Sequence, residues 1–193
     1  MNAVQVIRPA MDQLKKISTS LPGVFILEPR VFGDERGFFF ESYNQQIMAN
    51  AGIVEDFVQD NHSCSSRNVL RGLHYQVKHP QGKLVRVAEG EILDVAVDLR
   101  RSSPSFGRWE AVRLSGENKR MLWIPVGFAH GFRVLSEKAH VLYKATDFYA
   151  PEHERTLAWN DPDLKVNWEL DGEPIVSVKD QRGVAFGDAE CFD

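Results

Sequence analysis

An all-β fold, with two sheets closed face to face in the jelly-roll manner and a few short helices, is what this 193-residue sequence predicts. Two patterns carry the prediction. Short runs rich in β-branched and aromatic residues recur along the chain: VFILEPRVF, GFFFESY, FVQDNHS, KLVRVAEG, EILDVAVDL, WEAVRLS, MLWIPV and HVLYKATDFY. Gly, Pro, Asn and Ser turn signals separate them, the punctuation of a sandwich or barrel. The length suits one domain with a sizeable core, and we place it at 21–193 behind an N-terminal extension, 1–20.

Taken in order, the first element expected is a short helix over Met11 to Thr19, ending at the Leu21-Pro22-Gly23 turn. β-runs follow, interrupted by a single helix over Asn44 to Ala51. In EILDVAVDL, Leu93, Val95, Val97 and Leu99 share one face and Asp94 and Asp98 lie on the other, the pattern of a half-buried strand. After Pro151 the pattern weakens into extended loops with a helical turn closing one end.

The bulk numbers exclude several classes. With 43% hydrophobic and 26% charged residues the composition is that of an ordinary globular chain. A formal charge of -4 argues against a broad nucleic-acid surface while leaving room for a small anion pocket. Cys64 and Cys191 are too few for a disulfide framework, and neither a signal-peptide core nor a membrane-spanning apolar run is present. The expectation is a cytoplasmic protein that binds neither nucleic acid nor membrane.

Chemistry concentrates in RGLHYQ, GKLVRVAEG and PVGFAHGF. These resemble the two motifs of the cupin superfamily, in which the first supplies two His and a Glu to a metal and the second, P-x-G-x-x-H, a third His. Pro125, Gly127 and His130 match the second motif, but Gln76 stands at the second histidine of the first and Lys83 at its glutamate. Two ligands are missing, and a cation at a ligand position repels a divalent metal, so no metal is expected. Lys83 instead offers a fixed positive charge able to stabilise an oxyanion on a substrate carbonyl.

RVFGDERGFFFESY, FVQDNHS, NVLRGLHYQ, GKLVRVAEGEILDVAVDLR, SPSFGRWEAVRLS, NKRMLWIPVGFAHGF, VLYKATDFYAPEHE and WNDPDL, spread over roughly Leu21 to Asp180, together resemble the dTDP-4-dehydrorhamnose 3,5-epimerase family. The resemblance implies a homodimeric cupin-type jelly roll without metal or organic cofactor. Its substrate would be dTDP-4-dehydro-6-deoxy-D-glucose, inverted at C3 and C5 to dTDP-4-dehydro-L-rhamnose. Such inversion needs a base, an enolate stabiliser and an acid on the opposite face. By resemblance His74 is the base, Asp180 orients its imidazole, Lys83 holds the C4 oxyanion and Tyr143 returns a proton, its phenol aided by the nearby Lys83 cation. Tyr149 would stack on thymine, and period-two alternation puts it on the face of Tyr143. Arg36 and Arg71 would hold the diphosphate; Glu41, Gln59, Asn61, His130, Glu154 and Lys179 match substrate-contacting positions, with Phe38 against the base. An enzyme that inverts one carbon alone, and a metal-dependent cupin enzyme, are the alternatives.

Each of these residues has a plainer reading. A lone strand histidine is commonly structural, Tyr143 and Tyr149 suit cross-strand packing, and Lys179 and Asp180 read equally as a solvated surface pair. His62, His79, His140, His153 and both cysteines are left as structural or surface residues. A regular strand through Leu70 to Gln76 would send Arg71 and His74 to opposite faces. Either the chain bulges at Gly72, or a long substrate meets the two from different sides.

Overall fold

The structure is a computed structural model that describes residues 13–193. Two antiparallel sheets pack face to face. The first has the order β1 (Leu14–Ser18), β2 (Phe25–Pro29), β10 (Met121–Ile124), β7 (Lys83–Glu89), β12 (Lys138–Ala145), β5 (Gln59–Ser66). The second runs β13 (Glu154–Thr156), β6 (Val69–Gln76), β11 (Phe128–Val134), β8 (Glu91–Asp98), β9 (Trp109–Ser115), with β14 (Ile175–Val176) parallel to β6. A small hairpin, β3 (Phe32–Asp34) and β4 (Gly37–Phe39), stands apart from both.

Alternation sorts the side chains into three layers. Val85, Val87, Ile92, Ala96, Phe128, Phe132, Val134 and Val141 meet between the sheets. Leu70, Leu73, Tyr75, Leu93, Val95 and Val97 face outward, where Leu157, Leu164 and Trp168 of the C-terminal segment cover them. Leu84, Met121 and Trp123 on the other outer face are covered by Met48 and Ile53. These last two belong to α1 (Gln45–Asn50) and its exit. The helix forms where it was expected. Asn44 caps it by accepting from the Gln46 and Ile47 amides at 3.1 and 3.3 Å. Gly52, at φ +86, closes it as Ile53 N–H donates to the Met48 carbonyl at 2.9 Å.

Two expectations are corrected, and a third is extended. The helix over Met11 to Thr19 is, within the described residues, strand β1, paired with β2 from Leu14↔Pro29 to Ser18↔Phe25; Met11 and Asp12 lie outside the described residues. A helix this short is marginal by itself, whereas the turn at Gly23 (φ +96) returns the chain along a ready partner. Strand β8 is not half-buried: Asp94 and Asp98 are both 0% exposed, and their face points into the barrel beside Ile92 and Ala96. The segment after Pro151 does form extended loops with short 3-10 turns, but it also lies over the outer face of the second sheet and adds the strands β13 and β14 to its edge.

Candidate active site

The ladder between β6 and β11 pairs His130 with His74 but Phe132 with Arg71, so β6 holds one residue more than its partner. This bulge decides which way the site residues point. Leu70, Leu73 and Tyr75 face outward, and the extra residue lets both Arg71 and His74 face inward. Gly72 makes the bulge possible: it sits at φ +105, and a Cβ there would lie 2.6 Å from the Gly131 Cα and from the His130 carbonyl oxygen. Of the two explanations open in the sequence, the bulge is the one realised.

His74 lines an open cavity between the sheets. Its Nε2 lies 2.5 Å from Asp180 Oδ1. Asp180 begins a 3-10 turn, Asp180–Arg182, which β14 brings alongside β6. Ser177 Oγ accepts from the Asp180 amide at 3.1 Å, and the Gly72 amide donates to Oδ2 at 3.4 Å. At 3% exposure Asp180 is no solvated surface residue. Burial alone would raise its carboxyl pKa; the hydrogen bond and charge of His74, with Ser177 and Gly72, hold it below the usual value. A carboxylate so fixed orients the imidazole and stabilises its protonated form.

The facing sheet supplies a cation and a phenol. Lys83 shares the inward face of β7 with Val85, and its Nζ reaches across to within 3.5 Å of the His74 carbonyl oxygen. Burial pushes this ammonium down to about 8, against the opposing pull of Glu154 and Asp94. Tyr143, on β12 beside β7, also lines the cavity; burial first and then the Glu154 charge raise its pKa, while the charge opposing that rise is Arg71 and not Lys83 as expected.

At the mouth Tyr149 Oη donates to Glu154 Oε2 at 2.7 Å, and Lys179 Nζ holds the same oxygen at 2.5 Å. Tyr149 does share the cavity with Tyr143, but β12 ends at Ala145, so the connection after the strand, and not alternation along it, aims the ring. Gln59 accepts from the Tyr149 amide at 3.0 Å and donates to Asn61 Oδ1 at 2.9 Å; Asn61 stands opposite Tyr143 in the ladder. Arg71 Nε donates to Ser65 Oγ at 3.1 Å. Gln76 is occupied structurally, donating to the His79 carbonyl at 2.6 Å and accepting from the Ala150 amide at 2.9 Å.

Beneath the cavity His130 Nε2 lies 2.7 Å from Asp94 Oδ1. Burial, followed by the charges of Lys83 and His74, outweighs Asp94 and lowers the His130 pKa. Sequence reasoning missed Asp94 because alternation was read as pointing it to solvent; it also missed Ser65 and Ser177, which carry no signal apart from their partners. Three expected site residues are not brought in. Arg36 pairs with Asp34 on the exposed hairpin, Phe38 lies under Lys119 Nζ at 3.8 Å, and Glu41 accepts from Asn44 Nδ2 at 3.0 Å. None of the three lines this cavity. Among the described residues no group of three or more His, Cys, Asp or Glu side chains is arranged to hold a metal, and no helix is long and apolar enough to cross a membrane.

The sequence profile of dTDP-4-dehydrorhamnose 3,5-epimerases matches residues 18–188. The chain is 62% identical over 180 residues to dTDP-4-dehydrorhamnose 3,5-epimerase of Pseudomonas aeruginosa, covering 93% of this chain and 99% of that one. It is 54% identical over 178 residues to the Shigella flexneri enzyme of the same name, covering 91% and 98%. The crystal structure of dTDP-6-deoxy-D-glucose-3,5-epimerase from Legionella pneumophila, in complex with dTDP-4-keto-L-rhamnose, superposes with a TM-score of 0.90 at 49% identity, covering 92% and 95%. The chain therefore belongs to the dTDP-4-dehydrorhamnose 3,5-epimerase family, and it is an isomerase.

Proposed function

We propose that this cavity inverts C3 and C5 of dTDP-4-dehydro-6-deoxy-D-glucose through an enolate, giving dTDP-4-dehydro-L-rhamnose. The observation that carries the reading is the His74–Asp180 pair at 2.5 Å, facing Lys83 and Tyr143 across one cavity. With Nε2–H donating to Asp180, the lone pair on His74 Nδ1 is the base. It takes the proton from a carbon beside the C4 ketone, and the electron pair left behind moves onto O4. The Lys83 ammonium neutralises that oxyanion. Tyr143 Oη then gives its proton to the carbon from the opposite face; solvent exchange restores both groups before the second carbon reacts. At the mouth, Tyr149 stacks on the base, Arg71 meets the diphosphate, and Gln59, Asn61, Glu154, Lys179 and His130 complete recognition. No metal takes part, since an ammonium occupies the place a carboxylate ligand would need, and the family resemblance implies no organic cofactor.

Homodimerisation completes the reading. Arg36, Phe38 and Glu41 match substrate-contacting positions yet sit outside their own chain's cavity, and the hairpin exposes Phe32, Phe38 and Phe39 at 51%, 60% and 67%. In a dimer the hairpin of one copy delivers Arg36 and Phe38 to the other copy's cavity. We place the enzyme in the cytoplasm, where nucleotide sugars are made.

Turnover in heavy water tests the chemistry: deuterium at both C3 and C5 is the expected result, and label at one carbon assigns the chain to the single-position epimerases instead. Full activity after exhaustive chelation is expected, and a stoichiometric metal required for turnover overturns the metal-free reading.

A further inference from the structure

Arg133 of β11 lies on the outer face of the second sheet, opposite Leu70 of β6 and Leu93 of β8, and its side chain is only 3% exposed. A cation in this apolar layer is costly, and for stability alone an apolar side chain of similar volume would serve as well. The guanidinium is spent instead on the segment that covers the sheet. Nη1 donates to the Trp168 carbonyl at 3.1 Å and to the Glu169 carbonyl, while Nη2 donates to Asn68 Oδ1 at 2.6 Å and to Asp171 Oδ1. Arg67 Nη2 holds the other Asp171 oxygen at 2.8 Å. The covering segment is thus gripped at 168–171 by β11 and by the turn between β5 and β6.

Downstream of the grip the segment becomes β14, which runs parallel to β6 for two residues, with Ile175 58% exposed. The Ile175 amide donates to the Asn68 carbonyl at 2.9 Å, so Asn68 meets the segment with backbone and side chain at once. Ser177 and the turn carrying Asp180 follow directly. A two-residue ladder is a weak determinant of register. A slip of one residue would move the chain by about 3.3 Å, enough to take Asp180 Oδ1, now 2.5 Å from His74 Nε2, out of hydrogen-bond reach. Beyond the turn, the Val184 amide donates to the Thr156 carbonyl at 2.9 Å, which fixes the exit from the turn and leaves its entry to the grip.

We infer that Arg133 is a positioning residue for the epimerisation: its planar fork sets the register at which the covering segment enters β14, and so the place from which Asp180 meets His74. The inference rests on the role given to Asp180 in the proposed mechanism. A guanidinium suits the task because its donors are rigidly splayed. It meets two consecutive carbonyls, a carboxylate and an amide oxygen together, a set that a slipped segment would not present. Arg133 lines no part of the cavity and acts only through the segment.

Arg133→Met, which keeps an unbranched apolar stem and removes the fork, tests it. The expected result is a roughly ten- to hundredfold fall in kcat with KM little changed, the scale of a small misplacement of a catalytic group. The decisive readout is the same substitution in an Asp180→Ala background, where no carboxylate remains to be positioned: there Arg133→Met should cost no further kcat. A merely structural role would multiply the two losses. If Arg133→Met does not fold, Asp171→Ala, at a side chain 46% exposed, is expected to lower kcat at least about threefold with the same non-additivity. A folded variant with wild-type kcat, or losses that multiply in the Asp180→Ala background, overturns the inference. Wild-type kcat in Asp180→Ala alone would instead overturn the role given to Asp180, and absence of C3/C5 exchange in the wild type the epimerase reading, so these failures are distinct.

Discussion

His74 and Asp180, the proposed base and the residue that orients it, are more than a hundred positions apart, yet they meet at 2.5 Å. Asp180→Asn keeps the shape of the side chain and removes the charge that favours the productive tautomer and the imidazolium. By analogy with other histidine–carboxylate pairs, kcat should fall roughly 10²- to 10⁴-fold, with the melting temperature measured in parallel to confirm folding. Lys83 carries a second residue-scale prediction with two signs. Burial lowers its ammonium from 10.5 to about 8, so between those values the unfolded chain binds the extra proton and stability rises with pH. Below about 8 the buried charge opposes folding. Lys83→Met should therefore raise the melting temperature at pH 7 while turnover falls about 10²- to 10³-fold, the scale of losing one oxyanion donor. A variant that is inactive and also less stable would contradict this account. His74, Lys83 and Tyr143 were legible in the sequence through motif resemblance. Asp94 was not, because an acidic residue alternating with leucine and valine reads as solvent-facing until the second sheet covers it.

At the scale of the element, the bulge at Gly72 does what side-chain chemistry alone would not. An unbulged β6 would keep one of Arg71 and His74 out of the barrel, separating the group proposed for the diphosphate from the proposed base. Gly72→Ala meets both a φ of +105 and backbone atoms at 2.6 Å, so backbone strain alone should cost about 1–3 kcal/mol. Turnover should drop further than stability, because His74 and Arg71 are re-aimed together. Thermal melting and kcat/KM measured on the same sample check this; an alanine variant with native activity would show that the strand's geometry does not set the site. The glycine was visible in the sequence as the place where a regular strand fails. Strand β1 was misread because Leu14 to Ser18 carries no signal for its partner β2, and the pairing itself decides the conformation.

For the whole molecule, the hairpin carrying Arg36 and Phe38 belongs to neither large sheet, and the proposed dimer has it complete the partner's cavity. Mixing His74→Ala with Arg36→Ala chains tests whether copies share sites. Each homodimer should be strongly impaired, and a heterodimer contains one cavity with both His74 and the partner's hairpin intact. Activity in the mixture is expected to rise above either variant alone, toward about a quarter of the wild type at statistical exchange. No recovery after verified subunit exchange rules out the shared cavity.

The sequence by itself determined the all-β class and the helix at Asn44 to Ala51. Both are local: they depend on periodicity and capping chemistry within a short window, whereas the roles proposed for His74, Lys83, Tyr143 and Asp180 came from a resemblance spread along most of the chain. Tertiary structure alone decided that β8 is buried on both faces, that Asp180 sits sealed against His74, and that Lys83 reaches across to the His74 carbonyl. Those facts arise from sheets closing over one another, which removes water from groups that no neighbour in sequence could desolvate.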